Sequence, residues 1–241
     1  EIMEWRAPGL VIAVRAFGET SAICDVFTRD YGRYGGLVRG GASRKTKPVL
    51  QIGNRVDAQW RARLSEHLGA LTVELDAPFA SLYLHDPMEL AALTTLCGWL
   101  HLVPERQAYP RLYDTAQAVL EHLSERDIWP ALLVRFEMAF LEDMGFGLDL
   151  TSCAATGATQ DLNYISPRSG RVVSTEAAQP YLDRMFPLPG FLRDATQAPL
   201  EGDIAAGFDL MGHFISRRVL EPSGQSFPVS RSRLLAQIAR K

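Results

Sequence analysis

Cysteine is scarce: Cys24, Cys97 and Cys153 are the three in 241 residues. They are odd in number and far apart, which argues against a disulfide framework and for a reducing compartment. No apolar run approaches the roughly 20 residues that cross a bilayer. No secretory leader is readable, and Glu1-Ile2 ahead of Met3 marks Met3 as the expected native start. Neither sign of charge dominates, with 25 basic and 28 acidic residues and a net charge of −3. A pI near 6 does not by itself announce a polyanion binder. Catalytic signatures are missing too. The histidines His67, His85, His101, His122 and His213 form no His-Glu-x-x-His pair. There is no Gly-x-Ser-x-Gly elbow and no Gly-x-x-x-x-Gly-Lys phosphate loop. Gly145-Phe146-Gly147 ends a helical pattern instead of following a strand, so it is not a dinucleotide loop. Glu142 and Asp143 are adjacent, and on a helix adjacent residues point to different sides. Nothing asks for an enzyme.

Against this background one stretch stands out. From Thr28 to Lys47 the chain alternates glycine with cations. Between Arg29 and Arg63 there are nine cations (Arg29, Arg33, Arg39, Arg44, Lys45, Lys47, Arg55, Arg61, Arg63) against Asp30 and Asp57, a local charge of +7. Such asymmetry speaks of partners, not of fold. Glycine lets a backbone approach a polyanion, and mobile cations can follow its phosphates. Tyr31 and Tyr34 lie among these charges, where bases could stack or the barrel could pack. Arg29, Arg33, Arg39, Arg44, Lys45, Lys47, Arg61 and Arg63, with the two tyrosines, are the candidate nucleic-acid contacts.

Residues 9–76 read as five short strands with no helix between them. The cleanest covers 55–64: Val56, Ala58, Trp60, Ala62 and Leu64 alternate with Arg55, Asp57, Gln59, Arg61 and Arg63. Period two sends the first set to a core and the second outward. Five strands in under 80 residues predict a small closed barrel or a sandwich, and a five-stranded barrel with a cationic face is the OB-type arrangement. After Asp76-Ala77-Pro78 the pattern turns helical. Asp86-Pro87-Met88-Glu89 is a capped helix start, followed by Leu90, Leu93, Cys97 and Leu100. Tyr109-Pro110 opens a second helix with Leu112, Ala116, Val119, Leu120 and Leu123. Trp129-Pro130 opens a third with Leu133, Phe136, Phe140 and Met144, stopped by Gly145. Residues 148–192 are irregular, with a hairpin expected around Ser166–Gly170. A further helix covers Asp203–Leu220, and a short one begins at Ser230. The last 25 residues carry a second cationic group, which the helix dipole accounts for. The expected fold is thus α+β and multidomain: a barrel over 1–80 and an all-α domain over 81–241.

Several blocks together resemble the RecO family of bacterial DNA-repair and recombination mediators. They are Ala16–Thr20, Phe27–Arg33, Val38–Gly41, Leu50–Val56, Trp60–Leu64, Arg135–Glu137, Asp143–Leu150 and Ser166–Gly170. The resemblance covers nearly the full length, and it is the order and spacing of the blocks that carry it. It implies an N-terminal OB domain and a helical domain. It further implies binding of single- and double-stranded DNA, annealing of complementary strands, and loading of RecA onto strands coated by single-strand-binding protein. The implied partners are DNA, RecR and the acidic C-terminal tail of single-strand-binding protein. A monomer in the cytoplasm, associated with the nucleoid, is expected, without membrane contact.

One departure matters. Many family members carry a four-cysteine zinc site after the third helix. Here Cys153 stands at the first ligand position, Thr156 occupies the next, and no cysteine follows. One thiolate cannot make a structural zinc site, and Asp149 and Asp161 are too few and too hard to replace three sulfurs. Residues 151–178 are therefore expected to be a zinc-finger-like remnant without zinc, packed on Leu162, Tyr164 and Val172, and no cofactor is expected. Two other readings of the chain stay open: an RNA-binding barrel, and a helical adaptor for an acidic partner tail. A nuclease would need a carboxylate constellation that the sequence does not present.

Overall fold

The computed structural model describes residues 4–64 and 67–240. The first five strands are β1 (Glu4–Phe17), β2 (Ser21–Thr28), β3 (Gly32–Val38), β4 (Arg55–Arg61) and β5 (Ala70–Ala77). They close into a barrel of order β1-β2-β3-β5-β4. Closure depends on the length of β1. Its first half pairs with β4, from Glu4↔Arg61 to Leu10↔Arg55, and its second half with β2, to Phe17↔Ser21. The strand changes partners across an irregularity between Val11 and Ala13. There the Val11 backbone bonds Asn54 O at 2.9 Å and Gly53 N at 2.8 Å instead. The remaining seam is a parallel contact, Leu37↔Ala70.

The alternation in β4 fills the barrel as its sequence predicts: Val56, Ala58 and Trp60 are fully buried. The pattern runs further than the strand does. β4 ends at Arg61, and Leu64 is 52% exposed instead of facing the core.

The chain forms two compact units. The first runs through Ser124 and takes in Pro228–Ile238, so it holds the barrel with α1 (Phe79–Tyr83), α2 (Pro87–Leu100), α3 (Pro110–Glu121) and much of the last helix. This division differs from a boundary at 80. The physical reason is packing: Phe27 of β2 stacks on Tyr113 of α3 at 6.2 Å, and Cys97 of α2 lies against Val11 O. The Asp86 carboxylate caps α2, accepting from Met88 N at 2.8 Å and Glu89 N at 3.1 Å. α2 is buried on nearly every side, through Leu93, Leu96, Trp99 and Leu100, and so is the centre of this unit.

The second unit, Glu125–Phe227, is built on α4 (Trp129–Asp143), with Leu133, Phe136 and Phe140 buried and Gly145 ending it at φ +93°. The expected hairpin is present as β6 (Tyr164–Ile165) and β7 (Val172–Val173). It continues through α5 (Thr175–Ala178) to β8 (Phe186–Pro187), which pairs with β6 and which no alternation announced. Next come α6 (Gly190–Arg193) and α7 (Asp203–Ile215), which packs on α4. A π-turn over Ser216–Leu220 and the short α8 (Glu221–Ser223) follow. The last helix, α9 (Ser230–Ala239), returns to the first unit.

Candidate nucleic-acid interface

The ten candidate residues divide by what their side chains already hold. Arg33 is tied most firmly. It lies on β3 at 14% side-chain exposure and donates to Val103 O at 2.8 and 3.0 Å. It also pairs with Glu105 at 3.2 Å and with Asp25 at 3.5 Å. Asp25 in turn faces His101 Nε2 at 3.1 Å. That hydrogen bond, opposed by burial and aided by the charges of His101 and Arg33, holds the Asp25 carboxyl below its ordinary range. Arg29 is clamped by Asp114 of α3 at 3.0 and 3.3 Å. Arg61 pairs with Glu4 at 2.7 Å, both largely in water, so a phosphate can compete for it at little cost.

Tyr34 is a core residue, the packing alternative of the two offered for it. Its side chain alternates inward with Val38, leaving the residue 5% exposed. It packs edge-on against Trp60 at 4.8 Å and Trp5 at 5.2 Å. Burial is also the main cause that raises its phenol pKa. Tyr31 is half-buried and spends one ring face on Trp5, stacked at 5.2 Å. Its other role is packing against the barrel core.

Arg39, Arg44, Lys45, Lys47 and Arg63 are different. All five are exposed and make no ion pair among the described residues. Four of them fall on one segment, between the end of β3 and the start of β4. This segment is not the loose loop its glycines suggest. Ser43 N bonds Gly40 O, Lys47 N bonds Ser43 O at 2.9 Å, and Leu50 N bonds Thr46 O. The buried Asn54 then staples it down. Its Nδ2 donates to Pro48 O and Val49 O, each at 3.1 Å, while Oδ1 accepts from Ala80 N of α1 at 3.0 Å. The backbone is fixed, and the four cationic side chains reach out from it.

Two residues escaped the sequence reading. Arg106, at φ +59°, lays its guanidinium 5.0 Å above Tyr34 and 5.1 Å above Trp60 and donates to His67 O at 2.9 Å. No local pattern marks it, because its partners lie 39 or more positions away. Asn54 looks like an ordinary loop residue until its three backbone partners are seen.

The remnant around Cys153 is closed by its own hydrogen bonds. Cys153 N bonds Ala158 O at 2.7 Å, and its Sγ accepts from Ser174 N at 3.3 Å. Burial pushes this thiol up, but bonds from Thr156, Ser174 and Ala155 outweigh it and bring the pKa to about 6. Among the described residues no three His, Cys, Asp or Glu side chains converge on a possible metal position.

A closed five-stranded barrel in this strand order, bearing a stapled, exposed cationic loop, defines an OB-type protein. Two family models match the chain, Recombination protein O N terminal over residues 3–79 and Recombination protein O C terminal over residues 85–226. A DNA repair protein RecO of Beijerinckia indica is 45% identical over 240 residues, covering 99% of this chain and 96% of the relative. Those of Mesorhizobium japonicum and of a Jannaschia species are 46% and 47% identical, covering 99% of this chain and 94% and 98% of the relatives. The chain belongs to the recombination protein O family. No described helix is long and apolar enough to cross a membrane.

Proposed function

We propose that this chain acts in DNA repair and recombination as a non-enzymatic mediator. It holds single and double strands by their phosphates, anneals complementary strands, and with RecR helps RecA onto strands coated by single-strand-binding protein. The observation that carries this reading is the set of four cations without an ion pair among the described residues, Arg39, Arg44, Lys45 and Lys47, on a stapled barrel loop. Phosphate contacts of this kind give affinity with little sequence preference. They also reduce the repulsion between two strands brought together, while the base edges stay available for pairing. RecR and the acidic tail of single-strand-binding protein are the protein partners that go with this role, in the cytoplasm and at the nucleoid, with the chain itself a monomer.

The same reading holds that the Cys153 segment works without metal. A chelator should then leave the melting temperature of the full chain unchanged; a fall would restore a metal to that segment.

The direct test is annealing of two complementary labelled strands, followed by fluorescence transfer. The full chain should speed annealing at low salt and lose the effect as salt rises. No acceleration at any salt would end the proposal. Competition between matched DNA and RNA single strands tests the RNA-binding alternative, which a clear preference for RNA would establish.

A further inference from the structure

Beside the cationic loop lies an opening that phosphate binding alone does not use. The loop, the end of β5, and α1 and α2 enclose a cavity of about 670 Å³. Its walls are aliphatic: Pro48, Ile52, Leu75, Leu84, Leu90 and Leu93 among them. Three of these stand well out of any core, with Ile52 39%, Leu75 46% and Leu84 56% exposed. Contiguous apolar surface of this kind marks a binding site more often than a solvated face. Arg44 and Lys47 form part of the lining, both without an ion pair among the described residues, and no carboxylate joins them. The polar lining atoms spend their donors within the protein. Gln51 Nε2 donates to Lys47 O, Ser81 Oγ to Pro78 O, and Thr94 Oγ1 to Leu90 O.

We infer that this cavity takes an unpaired nucleobase of the strand whose phosphates lie on Arg44 and Lys47. The inference deepens the proposed function and rests on it. A base has two apolar faces for the aliphatic walls and a phosphate on either side for the two cations. Few free donors face it, so the pocket reads the presence of a base and not its identity. The loop keeps the cations at the mouth, since Asn54 ties Pro48, next to Lys47, to α1. In a duplex the bases are stacked inside and cannot enter. The pocket therefore favours single strands, and pairing with a complementary strand pulls the base out. Annealing then weakens the protein's own hold on the product.

The test compares two short single strands of equal length, one of thymidines and one fully abasic with the same phosphates. Binding to the full chain is measured by anisotropy across a salt series. The wild type should bind the thymidine strand about tenfold more tightly, the scale of burying one base against apolar walls. Leu84→Ser and, separately, Ile52→Ser should bring that ratio toward one and leave the salt slope as it was. Both side chains are exposed, so the fold should survive either change, and circular dichroism checks it. Equal wild-type binding of the two strands, with a normal salt slope, overturns the pocket but leaves the phosphate reading standing. A ratio that survives both pocket variants places the base elsewhere and also overturns it. A peptide of aspartates and apolar residues that binds wild type, is lost in Leu84→Ser, and leaves the strand ratio unchanged would give the groove to a protein partner instead. Loss of salt dependence for both strands would count against the phosphate reading itself.

Discussion

The division between tied and free cations makes a quantitative claim. Arg39→Gln, Arg44→Gln, Lys45→Gln and Lys47→Gln together remove four charges that no described ion pair employs. Each phosphate contact contributes about 0.7 to the slope of log affinity against log salt for a single strand. Four contacts make about 2.8. Between about 50 and 200 mM salt the wild type should therefore lose roughly fiftyfold more affinity than the quadruple variant. The side chains are exposed, so stability should change by no more than about 0.5 kcal/mol. Arg33→Gln is the matched control. It removes two bonds to Val103 O and the charge facing Asp25 and Glu105, at a side chain only 14% exposed. It should cost about 3 kcal/mol in urea unfolding and leave the salt slope near that of wild type. Binding and unfolding are measured on the same preparations. A quadruple variant that keeps the full slope, or an Arg33→Gln protein that keeps its stability and loses slope, would refute the division.

The remaining predictions probe the scaffold around this loop. Asp114→Asn should release Arg29 from its clamp and steepen the single-strand salt slope by about 0.7, and an unchanged slope would leave Arg29 out of the DNA path. Asn54→Ala removes three hydrogen bonds at a buried residue, two of them to the loop, and should cost about 2–3 kcal/mol and raise amide exchange in residues 46–52. Unaltered exchange would mean the staple does not order the loop. Gly32→Ala drives a methyl into Gln107 O at a φ of +80°, and should lower the urea midpoint by an amount equal to about 3 kcal/mol. A midpoint that stays put would contradict the close pass of residue 107 over β3. Asp25 has a folded pKa below its unfolded value of about 3.9. Its contribution is therefore complete above about pH 4 and is lost as pH falls through the folded value. Asp25→Asn should be less stable than wild type at pH 6 yet lose less on acidification from pH 5 to 3, and parallel acid limbs would exclude this linkage.

Much of the barrel could be read from residues alone because its rules are local. Val56, Ala58 and Trp60 reach the core through a two-residue period, and Asp86 with Pro87 starts α2 through contacts within one turn. The same locality explains the overshoot at Leu64: Ala62 still packs against the core, but the alternation in the sequence continues past Arg61, where β4 ends. The candidate interface was legible only in outline. A count of charges cannot see that Arg29 meets Asp114 85 positions on, or that Arg33 meets Val103 70 positions on. Tyr31 and Tyr34 look alike in sequence, yet the pleat turns Tyr34 to the core beside Val38 and leaves Tyr31 at the margin. The loop's stiffness was hidden for a related reason: it comes from one asparagine and the backbone of α1.

The tied arginines bear on function as much as the free ones. A guanidinium fork suits a carboxylate or carbonyl as well as it suits a phosphate. Asp114 and Glu105 therefore draw Arg29 and Arg33 into holding α3 and the connection between α2 and α3 against the barrel. Arg55 does the same with Asp76 and Glu121. What these acids neutralise, the field of the barrel loses on that side. The uncompensated charge is then concentrated on the short segment from Arg39 to Lys47, within reach of an apolar cavity. A polyanion is steered by the field that remains and not by the total, which is why a chain of net −3 can attract one. Under the proposed function, concentrating the charge in this way gives a strand one line of approach, and that line ends at the cavity inferred to take an unpaired base.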